Sequence, residues 1–165
     1  MFFSSNKSKS LYLKLGFSFF ILIFITTILQ TSYTYFSTKK ELYSEIENNI
    51  NVSLKQLENS VITFVESYQV NNYNRIIKNE MAHQNLLAII LEDYVTGKII
   101  GEDKYISGFF RNNEFEVIEY NIKNIEHKHQ MNTSIFSKEL ELKNSQNETI
   151  AILKIYGTDY YINKK

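Results

Sequence analysis

From Leu15 to Phe36 the chain reads LGFSFFILIFITTILQTSYTYF, apolar on every helical face and without a charge. At about 1.5 Å per residue such a helix covers about 33 Å, close to the thickness of a bilayer core. Lys7, Lys9 and Lys14 precede it, Tyr12 marks its near edge, and Tyr33, Tyr35 and Phe36 mark its far edge. Basic residues stay on the cytoplasmic side and aromatics gather at interfaces. Residues 1–14 are therefore expected in the cytoplasm, 15–36 in the membrane, and the remainder outside, in the bacterial periplasm. Lys39 and Lys40, beyond the span, weigh against this orientation. A cleaved signal peptide would need a shorter apolar core and a small-residue cleavage site, yet the first alanine is Ala82. A core helix of this kind would need a larger partner layer than so short a chain can supply.

After the span the period changes. Leu42, Ile46, Ile50, Leu54, Leu57, Val61, Phe64 and Tyr68 recur at spacings of three or four, predicting a long stalk helix over residues 37–68. Thr38 and Glu41 offer a capping box at its start, unless the helix simply continues out of the membrane. The stripe invites two uses: a coiled-coil-like homodimer contact near the membrane, and a cover for a sheet further along. QVNNYN breaks the pattern at Gln69–Asn74, and a short helix should follow to about His83, with Ile76, Ile77 and Met81 inward. Leu86 to Asp93 reads as a central strand. Thr96-Gly97-Lys98 reads as a turn, with Ile99-Ile100 opening the return strand. Further strands are expected at Tyr105–Phe110, Glu114–Tyr120, Ser134–Leu142 and Thr149–Tyr156. A short helix is expected within Asn121–Asn132, and another beginning in the tail GTDYYINKK. Helices first and consecutive hairpins afterwards predict an α+β architecture, the long helix of residues 37–68 and the short helix packed on an antiparallel sheet of about five strands, with the sheet domain over residues 69–165.

Composition narrows the function. Lys+Arg and Asp+Glu are both 18, so no overall field points to nucleic acid. With no cysteine, a disulfide framework, a thiolate metal site and a cysteine nucleophile are excluded.

The phrase LLAIILEDYVTGKIIGEDKYISG resembles the extracytoplasmic PAS-like sensor regions, of Cache or PDC type, that front bacterial histidine kinases and diguanylate cyclases. The matching residues are Glu92-Asp93-Tyr94, Thr96-Gly97, Ile99, Gly101 and Tyr105-Ile106-Ser107-Gly108, and ETIAILKIYGTDYYINK resembles the last strand and exit of such a domain. The resemblance implies a membrane-anchored sensor that binds a small ligand and signals mechanically through the membrane helix, with no cofactor. Such receptors continue into a second membrane helix and an output domain. This chain has neither a phosphoacceptor histidine box nor a glycine-rich nucleotide loop before it ends at Lys165, so the expected role is the sensing end of a receptor and not its enzyme. A second resemblance is to type IV pilins, in which KLGFSFFILIF would be the processing junction. Ile21 stands where that family carries a glutamate, and the implied alternative is a bitopic structural or assembly protein.

Candidate chemistry is sparse. Glu92 and Asp93 are adjacent, and alternation on a strand would send them to opposite faces, which disfavours paired acid–base catalysis. His127 and His129, with Glu126, have metal-compatible spacing but lack a third convincing ligand. Asn-x-Ser/Thr triplets at Asn51, Asn132 and Asn147 are expected by chance in so asparagine-rich a chain. No catalytic or metal residue is assigned. The ligand site is placed between the sheet and the segment crossing it: Tyr105, Ser107 and Arg111 on one face of a strand, with Tyr120 at the end of the next. An arginine beside tyrosines suits a small carboxylate, or an amine through the phenols.

Overall fold

The computed structural model describes residues 5–124, 131 and 134–160. The chain divides into two compact units, Met1–Leu42 and Tyr43–Lys165, with the boundary inside helix α1, Ser5–Glu66. In the first unit every side chain from Tyr12 to Phe36 is exposed. One window of α1 is long and apolar enough to cross a membrane, with a mean hydropathy of 2.0. Three of its hydroxyls are satisfied within their own helix. The hydroxyls of Ser18, Thr26 and Thr27 donate to the carbonyls of Lys14, Leu22 and Ile23, so none needs an external partner. Thr38 lies inside the continuous helix, so the capping box at Thr38 and Glu41 does not form.

In the second unit, α1 is followed by α2 (Val70–Glu80), β1 (Leu86–Asp93), α3 (Tyr94–Ile100), β2 (Tyr105–Arg111), β3 (Val117–Glu119), β4 (Phe136–Lys143) and β5 (Thr149–Gly157). The five strands form one antiparallel sheet in the order β3-β2-β1-β5-β4. The α+β expectation therefore holds, and Leu86–Asp93 is the central strand. It is buried along its whole length, which explains why its apolar run shows no alternation.

One face of the sheet carries the core. Ile46, Ile50, Leu57, Val61 and Val65 of α1, Tyr73 and Ile77 of α2, and Met81 at the C-cap of α2 pack on Ile89, Leu91, Phe109, Leu153 and Ile155. Each such side chain contributes about 1.5–3 kcal/mol by leaving water. The α1 stripe is thus consumed by the chain's own sheet from Ile46 onward, and a homodimer through that stripe would compete with this packing. The outward face of the same stretch is polar, and Val52 is its one large apolar exposed side chain among the described residues.

The helix-breaking role expected of Gln69–Asn74 is confined to its start. Tyr68 takes a positive φ of 57° and α2 already begins at Val70. A larger departure follows β1. Thr96-Gly97-Lys98 is not a hairpin turn and Ile99-Ile100 is not strand. Asp93 caps a short helix instead, its Oδ1 accepting the amides of Val95 and Thr96 at 2.9 Å. Gly101, at φ 78°, ends that helix in the left-handed conformation that lacks a penalty only in glycine. The return strand is β2, and β3 is much shorter than Glu114–Tyr120. Asn112 Oδ1 accepts the amides of Glu114 and Glu116, folding the start of that segment into a turn. Of the helix expected within Asn121–Asn132, only a turn at 121–124 and Met131 are described. Of the tail, Gly157 still belongs to β5, residues 158–159 are in neither helix nor strand, Tyr160 is in a turn, and residues 161–165 lie outside the described residues.

Candidate functional site

Strand alternation separates the four residues placed together by sequence. Tyr105, Ser107 and Arg111 lie on the helix-covered face of β2, in rows with Asp93, Leu91 and the start of β1. Tyr120 lies over the opposite face, its amide donating to the Gly108 carbonyl at 2.9 Å. Arg111 is a clamp. Its Nε donates to the Leu86 carbonyl at 2.9 Å, its Nη1 to Phe115 at 3.0 Å, and its Nη2 to Met81 and His83. These carbonyls belong to the end of α2, the start of β1 and the β2–β3 turn. The guanidinium is therefore spent on backbone, where a ligand carboxylate would find its donors engaged.

Ser107 belongs to a second buried cluster. Asp93 Oδ2 accepts from the Thr96 hydroxyl at 2.6 Å and from the Tyr73 phenol at 3.2 Å. Ser107 Oγ is buried beside this phenol without a hydrogen bond of standard geometry. Burial, reinforced by the Asp93 charge, pushes Tyr73 far above the usual tyrosine range, so it stays neutral and donates. This cluster ties α2 to β1 and to the start of α3.

The candidate site is on the other face. A groove of about 380 Å³ is floored by Ile90 and Glu92 of β1, Ile106 of β2, and Lys154 and Tyr156 of β5. Tyr120 closes one side, and Ile122 and Met131 come from described parts of the β3–β4 connection. Antiparallel pairing of β1 with β5 sets Ile90 opposite Lys154, which brings Lys154 diagonally to Glu92. Glu92 Oε1 lies 3.0 Å from Lys154 Nζ and its Oε2 lies 2.8 Å from Lys104 Nζ. Lys154 also reaches Glu139 of β4 at 3.5 Å.

Burial alone would raise the Glu92 carboxyl, but hydrogen bonds and charge from Lys104 and Lys154 outweigh it and hold the group below the ordinary carboxylate range. Burial would lower Lys154, and Glu92 and Glu139 reverse that, so its ammonium persists above the usual lysine value. Burial raises Tyr120 and Tyr156, so both phenols are neutral at physiological pH. The groove thus holds one anion, Glu92, one cation, Lys154, two phenols and an apolar wall. It lacks a nucleophile–base pair, and no cluster of three metal-ligating side chains occurs among the described residues. His127, His129 and Glu126 lie outside the described residues.

Of the four residues placed at a ligand site from sequence, Tyr120 alone lines this groove. Glu92, Lys154 and Tyr156 were missed because they meet only through the β1–β5 register. A usable signal was present: Lys154 interrupts the apolar run of β5 and Glu92 the run of β1, and interior charges on central strands require partners. Comparison with protein-family models, with curated proteins and with solved structures finds no match.

Proposed function

We propose that the chain is a membrane-anchored sensor module, held by the apolar part of α1, with its sheet domain outside the cell membrane and the β1–β5 groove as its ligand site. The observation that carries this reading is the double use of two strands. Ile90, Glu92, Lys154 and Tyr156 floor the groove, while their neighbours Ile89, Leu91, Leu153 and Ile155 pack under α1 and α2. An occupant that shifts β1 against β5 acts one residue away from the helix packing. Close-packed cores pass such shifts on as discrete rearrangements. The chemistry is binding, and the output would be mechanical, delivered along α1 to a partner or to an output domain such as a kinase or cyclase.

The test is a broad small-metabolite screen by thermal shift on the full chain in lipid nanodiscs. Hits are then followed by hydrogen exchange. A hit abolished by Tyr156→Ala that also changes protection in residues 43–66 supports the reading. Hits that ignore Tyr156→Ala, or leave α1 protection unchanged, count against it. The pilin-like alternative predicts cleavage after Gly16, and an intact N-terminus by mass spectrometry removes it.

A further inference from the structure

The two charges lining the groove, Glu92 and Lys154, and their more exposed partners outside it narrow the ligand class beyond a generic small metabolite. Glu92 and Lys154 pair with each other, and each has a second partner of opposite sign: Lys104 at 2.8 Å for Glu92 and Glu139 at 3.5 Å for Lys154. The four charges sum to zero. A guest with a single charge would leave a net unit charge in a half-enclosed site, where it is poorly solvated. A guest with both signs would leave the sum at zero. It could part Glu92 from Lys154, placing its cation on the carboxylate and its anion on the ammonium. Lys104 and Glu139 would remain behind as partners, so neither side chain would be stranded.

Resting on the sensor reading above, we infer that the groove takes a small zwitterion with an apolar body, its ammonium or quaternary cation on Glu92 and its carboxylate on Lys154. Ile90 and Ile106 supply a wall for the apolar part, while Tyr120 and Tyr156, kept neutral by burial, can donate to the carboxylate or offer ring faces to the cation. The volume of about 380 Å³ sits at the small end of ligand sites, which run from about 300 to 1,000 Å³, and suits a metabolite rather than a peptide. Splitting the pair also supplies the signal. Glu92 on β1 and Lys154 on β5 are pulled together when the groove is empty and separated when it is filled.

The experiment is isothermal titration of the full chain in nanodiscs with leucine, phenylalanine and glycine betaine. The controls are 4-methylpentanoate and 3-methylbutylamine, which are leucine without its ammonium and without its carboxylate. At least one zwitterion should bind at least about tenfold more tightly than either single-charge analogue. Glu92→Gln and Lys154→Gln should each weaken that binding at least about tenfold, each step worth about 1.4 kcal/mol. Lys138→Gln, on the helix-covered face, should leave it unchanged. Glu139 is mostly exposed, so Glu139→Gln folds irrespective of the outcome for the buried pair, and it should shift preference toward 4-methylpentanoate. Equal binding of a single-charge analogue, no zwitterion binding, or no response to Glu139→Gln overturns the inference. Single-charge binding that is lost in Tyr156→Ala overturns the zwitterion class and leaves the groove standing as the sensor site. Failure of every hit in the broader screen is what removes the sensor reading itself.

Discussion

Glu92 and Asp93 are chemically alike and adjacent, yet strand alternation gives them unrelated work. Asp93 is fully buried and spends its oxygens on two amides and two hydroxyls. Replacing it with alanine removes the α3 cap and leaves Tyr73 unpaired beside Ser107. The cost should be about 2–4 kcal/mol, from a lost cap of about 1 kcal/mol plus stranded buried donors. A clear drop in the unfolding midpoint of Asp93→Ala, with groove affinity retained in the folded fraction, is the expected result. Glu92 predicts a pH signature. Its folded carboxyl titrates below the ordinary value of 4.5, so its contribution is fully present above that value and fades as pH falls through the lower, folded one. Glu92→Gln should therefore flatten the stability curve on the acid side of pH 4.5 relative to the unaltered chain. Thermal unfolding of both proteins across that range reads it, and parallel acid limbs would refute it.

At the scale of elements, Arg111 and two glycines decide how strands and helices meet. Arg111→Lys keeps the charge but loses the planar fork that reaches four carbonyls. It should cost about 3 kcal/mol of stability, as buried acceptors lose charge-assisted bonds, and should leave groove affinity within about twofold. Chemical unfolding and titration of the same preparation separate these effects. Gly108 has φ 153°, and an added Cβ would stand 2.2 Å from the Ile89 carbonyl oxygen. Gly108→Ala should therefore push β2 off β1 and destabilise the sheet more than a substitution at an exposed turn such as Ser145→Ala. The same residues explain what could be read from the chain. Long periodic or apolar segments gave the right element types, because burial of a stripe or of a whole strand dictates the pattern. Helix α3 was illegible as a helix: its seven residues are too few to show a period, and Thr-Gly-Lys is ordinary turn chemistry. Asp93 as an N-cap and Gly101 as a C-terminal stop were its only local marks. The phrase from Glu92 to Gly108 therefore encodes mainly a strand–helix–strand corner. Gly97 belongs to the same corner, since a Cβ there would meet Lys104 Cα at 2.5 Å. The groove was illegible for a different reason. Its charges come from β1, β4, β5 and the approach to β2, and only the strand order β2-β1-β5-β4 assembles them.

At the scale of the whole molecule, the two units make opposite demands on solvent. The segment from Tyr12 to Phe36 exposes phenylalanine, isoleucine and leucine on all sides, and the hydroxyls of Ser18, Thr26 and Thr27 within it are satisfied by their own helix, which suits hydrocarbon. The second unit buries its apolar stripe and turns charge and amide groups outward, which suits water. The boundary between solvents should therefore fall between Phe36 and Ile46, the first residue of α1 buried in the sheet core. Lys39, Lys40 and Glu41 lie in that interval and would sit among the headgroups. The proposed orientation rests on the balance of Lys7, Lys9 and Lys14 against Lys39 and Lys40. The absence of cysteine makes it directly measurable, since any introduced thiol is unique. In cells producing the full chain, Ser145→Cys, on the exposed β4–β5 turn, should react with a membrane-impermeant maleimide before lysis. Ser10→Cys should react only once the membrane is opened. Replacing Lys7, Lys9 and Lys14 together with glutamine should erode that asymmetry, because Lys39 and Lys40 then carry the larger basic charge. Labelling of Ser10→Cys in intact cells would invert the orientation, and extraction of the chain by carbonate without detergent would remove the membrane span altogether.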